Sequence, residues 1–318
     1  GKLALVQMTN IYACSNCGEW INTGLDQKTF DKMISLFADY NAAGDKDYHK
    51  QIRILNQMVS IDPYCAQIYM RLGQAYGNLN DSSQQLSYYL KALEMDNRDA
   101  LVHNGLGVCY NRAGNWGLAY EYGKKAYDRM KQGSISRVNN EGIICSNYSI
   151  ALEKTNRSME AHKMVIEANK YNYSNMRGLV LDWGIGSQYY KRVINDIASK
   201  DCSRYSKNVQ FNKDKEACRS VLGTGAAPVI IFAVAGERWL GPAYQFAVTD
   251  RCLFFLNNSN TKDKYYMAYY DFITYDIQYS GKTLVFTGKI NKNIVYKIEV
   301  GKDAPLICKF LNELQTRL

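Results

Sequence analysis

The spacing of hydrophobic residues changes between the first two thirds of the chain and the last third. Between residues 31 and 199, apolar residues recur three and four positions apart, which is the spacing of one face of an α-helix. From residue 228 onward the period becomes two, in short runs rich in Val, Ile, Tyr and Phe that Gly, Asn, Asp and Lys separate. The pattern predicts a helical part followed by a part built mainly of antiparallel strands.

The boundaries of the segments follow from the same pattern. The run "SQYYKRVINDIAS", residues 187–199, predicts a one-sided helix that caps the helical part, and the polar stretch after it is typical of a linker. The run "APLICKFLNELQ", residues 304–315, predicts a closing helix with an apolar side. We therefore expect an N-terminal segment at 1–30, a helical array with its capping helix at 31–199, a linker at 200–217 and a strand-rich domain at 218–318.

Within the helical part, the same pattern returns at a regular interval. Leu72 and Tyr76 correspond to Leu106 and Tyr110, and each unit has two helical patterns separated by a polar turn such as "GNLNDSS". A third unit begins at Gly142, after a short insertion near "KQGSISRVNN". A fourth and less regular unit lies upstream, so the array has enough units to bury a continuous core.

Two helices joined by a turn, in a unit of about 34 residues, resemble the tetratricopeptide repeat. The unit that starts at Ala66 departs from that repeat at Gln85, where a small residue is usual, and at Asn97, where proline is usual. In the second unit, His103 and Gly123 occupy two places that normally pack. The resemblance implies a stack of helix pairs whose first helices line a groove.

The same resemblance names the residues that would face a bound partner. The outward places of the first helices hold mostly amide side chains, which can both donate to and accept from the backbone of an extended peptide. The alternative is that these amides are ordinary solvated surface. The predicted groove residues are Gln67, Met70, Gln74, Asn78, Asn104, Val108, Asn111, Arg112, Ser146 and Lys154.

The strand-rich part resembles the pleckstrin-homology (PH) architecture, in particular the PH-like domains of bacterial proteins. The resemblance is carried by "FAVTDRCLFF" at residues 246–255, the run "YYDFITYDI" and the closing helix. It implies six or seven antiparallel strands in a barrel with one C-terminal helix. The predicted fold class is thus a multidomain chain, with an all-α tetratricopeptide-type repeat array followed by a mainly antiparallel β PH-like barrel.

A basic hairpin in that domain allows two interpretations. It carries Lys282, Lys289, Lys292 and Lys297, which could bind anionic lipid or could protect an edge strand against pairing with another chain. The net charge of +9 is spread thinly over the chain, and no run is long and apolar enough for a transmembrane helix. We favour the edge-protection interpretation.

The pair Cys14 and Cys17, followed by Gly18, has the spacing of one half of a zinc ribbon. A structural zinc site needs four ligands, and no second pair of this spacing exists, so the motif is half of a ribbon, a remnant or two packed cysteines. The nine cysteines are an odd number inside apolar patterns, which predicts reduced thiols in a cytoplasmic protein. We predict no cofactor, and zinc at Cys14 and Cys17 is the alternative.

No pattern of catalytic residues is present in the sequence. The three histidines lie far apart, "GTGAAP" at 223–228 lacks the Lys and Ser/Thr of a phosphate loop, and no nucleic-acid motif occurs. We predict a non-enzymatic scaffold whose groove binds an extended peptide or protein and whose PH-like domain docks a second partner. The alternatives are a membrane-surface adaptor that binds anionic lipid and a zinc-dependent regulatory protein; the sequence leaves the oligomeric state open.

Overall fold

A computed structural model describes residues 3–5, 12–14, 20–21, 26–44, 47–133, 140–201, 230–236, 243–255 and 265–318. The structure divides into two compact units, Gly1–Thr155 and Asn156–Leu318. The first unit begins with a small antiparallel sheet in the order β1-β2-β3. Its strands are β1 (Leu3–Leu5), β2 (Tyr12–Cys14) and β3 (Trp20–Ile21).

Helices in antiparallel pairs follow this sheet in the described part of the first unit. Several begin at an Asp or Asn whose side chain accepts from a backbone N–H of the first turn, as Asp81 does from Gln84 and Asn115 does from Leu118. The helices are α1 (Gln27–Ala43), α2 (Tyr48–Ile61), α3 (Ala66–Asn78), α4 (Ser82–Met95), α5 (Ala100–Arg112), α6 (Trp116–Lys131) and α7 (Glu141–Lys154).

The turn inside each repeat has the same backbone geometry at the predicted spacing. Asn80, Gly114 and Asn156 occupy corresponding places and have positive φ angles of 60°, 72° and 61°. After α3 and α5 the chain closes in the same way, because Asp81 donates its N–H to the carbonyl of Tyr76 and Asn115 donates to that of Tyr110, both at 3.0 Å. Asn and Gly are the residues that tolerate this conformation, so the turn explains why they recur.

A large side chain packs against small ones at the joints between repeats. A Cβ added to Gly73 would lie 3.0 Å from the ring of Tyr89, and one added to Gly105 would overlap the same ring. In the next repeat the small residue is on the second helix and the large residue is on the first helix that follows. A Cβ on Gly123 would lie 2.7 Å from the ring of Tyr148. Gly123 therefore departs from the usual pattern because Tyr148 fills its space.

The aromatic contacts between the two helices of a repeat also recur. Tyr76 stacks on Tyr88 with ring centroids 5.3 Å apart, and Tyr110 stacks on Tyr122 at 5.5 Å. Both pairs are half-buried and join the first helix of a repeat to its second. The repetition seen in the sequence is thus present in side-chain packing as well.

The second unit contains α8 (Ser158–Lys170), a π-helical turn (Gly178–Asp182) and α9 (Ser187–Asp201) before its sheets. Tyr190, Ile194 and Ile197 of α9 are buried in one hydrophobic core with residues of the strands and of the C-terminal helix. We expected this helix to cap the repeat array within a 31–199 segment. The structure instead divides after Thr155 and places the apolar face of α9 in the core of the second unit.

Two separate antiparallel sheets form the strand-rich part, in the orders β4-β5-β6-β7 and β10-β9-β8. The strands are β4 (Ile230–Gly236), β5 (Ala243–Thr249), β6 (Cys252–Phe255), β7 (Tyr265–Ala268), β8 (Tyr275–Ser280), β9 (Thr283–Gly288) and β10 (Val295–Glu299). The prediction of a closed barrel is wrong for the described residues, where no strand pairing joins the two sheets. A short helix, α10 (Tyr269–Phe272), lies between β7 and β8, inside the run "YYDFITYDI" on which the PH resemblance partly rested.

The C-terminal helix α11 (Ala304–Arg317) is present as predicted and buries Ile307, Phe310, Leu311 and Leu314. It is tied to the sheet region by Gln315, whose amide donates to the carbonyls of Phe272 and Tyr275, both at 2.7 Å. None of the helices in the described ranges combines the length and the apolar character that crossing a membrane requires.

The end of the chain is held by α8 and α9. His162 of α8 donates from Nε2 to the carbonyl of Leu318 at 2.6 Å, and its Nδ1 lies 2.9 Å from the hydroxyl of Tyr190. Tyr189 of α9 donates to the carbonyl of Arg317, whose guanidinium pairs with Asp196 of the same helix. Helices α8, α9 and α11 therefore share one set of polar contacts inside the second unit.

Candidate binding groove on the first helices of the repeats

The first helices of successive repeats are neighbours in the first unit. Helix α5 contacts both α3 and α7, so these three helices form one continuous layer. Side chains that point away from the second helices lie on the outer surface of this layer. That surface is the candidate groove.

The ten predicted groove residues differ in exposure. Gln74, Asn78, Arg112 and Lys154 are exposed, and Asn104, Val108 and Asn111 are half-buried. Gln67, Met70 and Ser146 are buried. Met70 is buried because its side chain packs in a core cluster with residues of α4 and α5, where successive repeats meet. The partner-binding role of all ten residues stays a prediction.

Amide side chains link α5 to α7 across the layer. Asn147 donates from its side chain to Oδ1 of Asn104 at 3.0 Å, and Asn111 donates to the backbone carbonyl of Asn147 at 3.3 Å. The Oδ1 atom of Asn111 is buried and has no hydrogen-bond partner. Sequence reasoning missed Asn147, because it lies one place beyond the outward position that Ser146 occupies.

Arg112 joins the first two repeats. Its guanidinium donates to the carbonyl of Gly77 at 3.3 Å and to Oε1 of Gln85 at 3.2 Å. Gln85 fits at a place that usually holds a small residue because Gly77 leaves room for it: a Cβ on Gly77 would overlap the Gln85 amide. Arg112 thus has a structural role in addition to the binding role that we predicted for it.

Apolar and basic side chains complete the surface near α7. Ile143 is 42% exposed, and Ile150 is half-buried on the same helix. Lys154 places its ammonium 5.5 Å from the centre of the Trp116 ring, a cation–π contact. The groove therefore combines amides, exposed aliphatic groups and a cation.

Two ionisable side chains of α5, Cys109 and His103, are buried behind this surface. Burial raises the pKa of the Cys109 thiol to about 11, so this cysteine is a neutral packing group at physiological pH. Burial is also the largest influence on His103, where it lowers the pKa of the ring. Within the described ranges, no cluster of three His, Cys, Asp or Glu side chains could hold a metal ion.

The remaining predicted sites lie elsewhere. All four hairpin lysines are exposed; Lys289 donates to the carbonyl of Ile273 and Lys292 pairs with Asp276, each at 2.9 Å. Lys297 lies on β10, an edge strand. Cys14 is the last residue of β2, whereas Cys17 lies outside the described residues, so the zinc prediction stays untested.

Comparisons with known proteins address the repeat array. Residues 66–99 match the sequence model of the tetratricopeptide repeat. No curated protein matches the chain. Similar solved structures include a mutant O-GlcNAc transferase of Thermobaculum terrenum, at 15% identity and a TM-score of 0.39, over 46% of this chain and 27% of the transferase.

Two further structures are similar over about half of this chain. A MamA protein of MSR-1 is 18% identical over 46% of this chain and 80% of its own, with a TM-score of 0.35. The Cut9–Hcn1 assembly of the APC/C is 12% identical over 51% of this chain and 43% of its own, with a TM-score of 0.29. These low scores carry no argument about activity or partner. The comparisons thus show one tetratricopeptide repeat at residues 66–99, and the structure shows that its two helices lie among further helices paired in the same way.

Proposed function

We propose that this protein is a non-enzymatic interaction scaffold whose array binds an extended segment of a partner along α3, α5 and α7. The observation that carries the proposal is the line of amides formed by Asn104, Asn147 and Asn111 across two first helices. Amide side chains on successive helices can form hydrogen bonds with the backbone of a peptide, and such bonds do not select the side chains of the peptide. Ile143 and Lys154 would add selectivity at one end.

Asn111, whose side chain donates to the carbonyl of Asn147, belongs to the same layer of first helices. Helical arrays commonly use such a layer for protein binding, which agrees with the repeat match at 66–99.

We also propose that the second unit is a PH-like module that attaches the array to a second docking partner. The four-stranded sheet, the three-stranded sheet and the closing helix α11 support this proposal. Localisation in the cytoplasm and a zinc-dependent role through Cys14 and Cys17 stay predictions from the sequence.

A photo-crosslinking experiment tests the groove. A benzophenone amino acid replaces Gln74, which is exposed on α3, and in a matched variant it replaces Glu121, which is exposed on the second helix α6. We expect ultraviolet light to link a protein from the native cell to the position-74 variant and not to the position-121 variant. Equal labelling at both positions would contradict the groove.

A further inference from the structure

The layer formed by α3, α5 and α7 has two edges with different chemistry. Since each of these helices begins a repeat of the same construction, the three run in the same direction, with their C-terminal ends along one edge. The C-terminal edge holds Asn78, Arg112 and Lys154, and the N-terminal edge holds Gln67, Leu101 and Ile143. A segment that lies along these helices therefore contacts polar or cationic groups at one end and mainly apolar groups at the other.

The guanidinium of Arg112 is positioned to bind an anion. Arg112 is exposed, and its hydrogen bonds to the carbonyl of Gly77 and to the side chain of Gln85 both start at Nη1. Both acceptors are uncharged. The N–H groups on Nη2 and Nε have the planar arrangement that binds the two oxygens of a carboxylate. The contacts with the preceding repeat thus hold Arg112 in place without neutralising its charge.

The distribution of acidic residues in the layer also favours an anion at Arg112. Helices α3 and α5 contain no Asp or Glu in their sequences. The acidic residues of the layer are both on α7, Glu141 in its first turn and Glu153 beside Lys154. Arg112 is therefore a cation on a helix that has no carboxylate of its own.

Aliphatic side chains at the opposite edge can hold an apolar group. Leu101 of α5 is half-buried, and Ile143, at the corresponding place of α7, is 42% exposed. One exposed aliphatic residue is ordinary on a protein surface, but two at corresponding places of neighbouring helices favour an apolar contact. Leu101 and Arg112 lie near the two ends of α5, and at 1.5 Å per residue the helix separates them by about 16 Å.

We propose that the segment bound along this layer carries a carboxylate that pairs with Arg112 and an apolar side chain that packs on Leu101 and Ile143. The inference rests on the proposed function of the layer and names the chemistry of its occupant. An extended peptide advances about 3.3 Å per residue, so these two side chains lie about five residues apart in the partner. A basic segment would be repelled at Arg112, and a neutral one would leave its charge uncompensated.

Selection from a random library of displayed decapeptides, with the full chain as bait, tests the proposed composition. The selected peptides should share an Asp or Glu and an apolar residue about five positions away. Added salt should weaken their binding, because the pair at Arg112 is exposed to solvent. A selection that yields no binding peptide, or peptides that share no acidic residue, would overturn the proposal.

Variants of the protein assign the two contacts, with fluorescence anisotropy of one selected peptide as the measurement. Arg112→Glu should weaken binding about tenfold or more, whereas Lys125→Glu makes the same charge change on the second helix α6 and should leave it unchanged. Ile143→Ser should also weaken binding. Leu90→Ser is its control, because Leu90 is 37% exposed on the second helix α4. Equal losses within either pair would contradict the assignment.

A charge exchange separates recognition by Arg112 from its structural role. When lysine replaces the acidic residue of the selected peptide, Arg112→Glu should bind that peptide better than the unsubstituted protein does. A variant that is merely destabilised would show no such preference, and its absence would overturn the pairing with Arg112. If crosslinking at position 74 identifies a partner segment that lacks acidic residues, this inference fails and the groove stands; equal labelling at positions 74 and 121 contradicts the groove itself.

Discussion

At the scale of single residues, departures from the repeat pattern occur where neighbours compensate. Gln85 replaces a small residue, and Gly77 provides its space; Gly123 replaces a large one, and Tyr148 fills the gap. The sequence shows each departure, but the compensating residue lies on another helix and only the structure identifies it. Interiors are packed closely enough that such exchanges must match in volume.

The contact between Gly105 and the ring of Tyr89 allows a test of this close packing. Gly105→Ala would push a methyl group into the buried ring of Tyr89, and such overpacking typically costs about 1–3 kcal/mol. Gly117→Ala is the matched control, since the nearest atom to its Cβ is an Asn115 oxygen at 3.9 Å. Urea unfolding should show a loss of stability for the first variant and none for the second, and equal stabilities would contradict the packing described for Tyr89.

At the scale of elements, helix pairs are joined by equivalent contacts that use different residues. Tyr69 donates its hydroxyl to the carbonyl of Pro63 at 2.9 Å, and His103, at the corresponding place of the next repeat, donates from Nε2 to that of Asn97 at 2.8 Å. The sequence predicted a packing role for His103 and not this hydrogen bond. The substitution leaves Nδ1 of His103 buried without a partner.

This histidine should make the array sensitive to acid. Burial lowers the pKa of His103, so the folded state favours the neutral ring. Its contribution to stability is present above the ordinary pKa of about 6.5 and is lost as the pH falls below that value. Burial lowers the pKa of His162 in the second unit in the same direction.

His103→Tyr should reduce this sensitivity, because a tyrosine at the same place can donate to Asn97 as Tyr69 donates to Pro63. A cleft of about 730 Å³ beside His103 and Tyr122 offers room for the larger ring. Unfolding free energies measured between about pH 7.5 and 5 should fall less steeply in the variant than in the unsubstituted protein. We expect the variant to keep some dependence of unfolding free energy on pH, because other groups, including His162, also titrate. Identical slopes in the variant and the unsubstituted protein would rule out a contribution from His103.

At the scale of the whole molecule, local chemistry was more predictable than long-range pairing. The repeats were visible in the sequence because each turn and each packing position returns at the same place in successive units, as Leu72 returns at Leu106. The prediction of a closed barrel is wrong because a resemblance carried by short runs such as "YYDFITYDI" does not show which strands pair, and the structure has the helix α10 inside that run. Burial of Met70 and Ser146 also depends on how successive helices stack, which no single repeat reveals.

The central claim is that the layer formed by the first helices α3, α5 and α7 is the binding surface. The most direct test measures the affinity of this protein for the partner segment that crosslinking at position 74 identifies. Asn104→Ala combined with Asn147→Ala removes the amides that link α5 to α7, and Lys91→Ala combined with Lys125→Ala alters the second helices instead. Calorimetry should show at least a tenfold loss of affinity, about 1.4 kcal/mol, for the first pair and no change for the second. Unchanged affinity for the first pair, or an equal loss for both, would contradict the account.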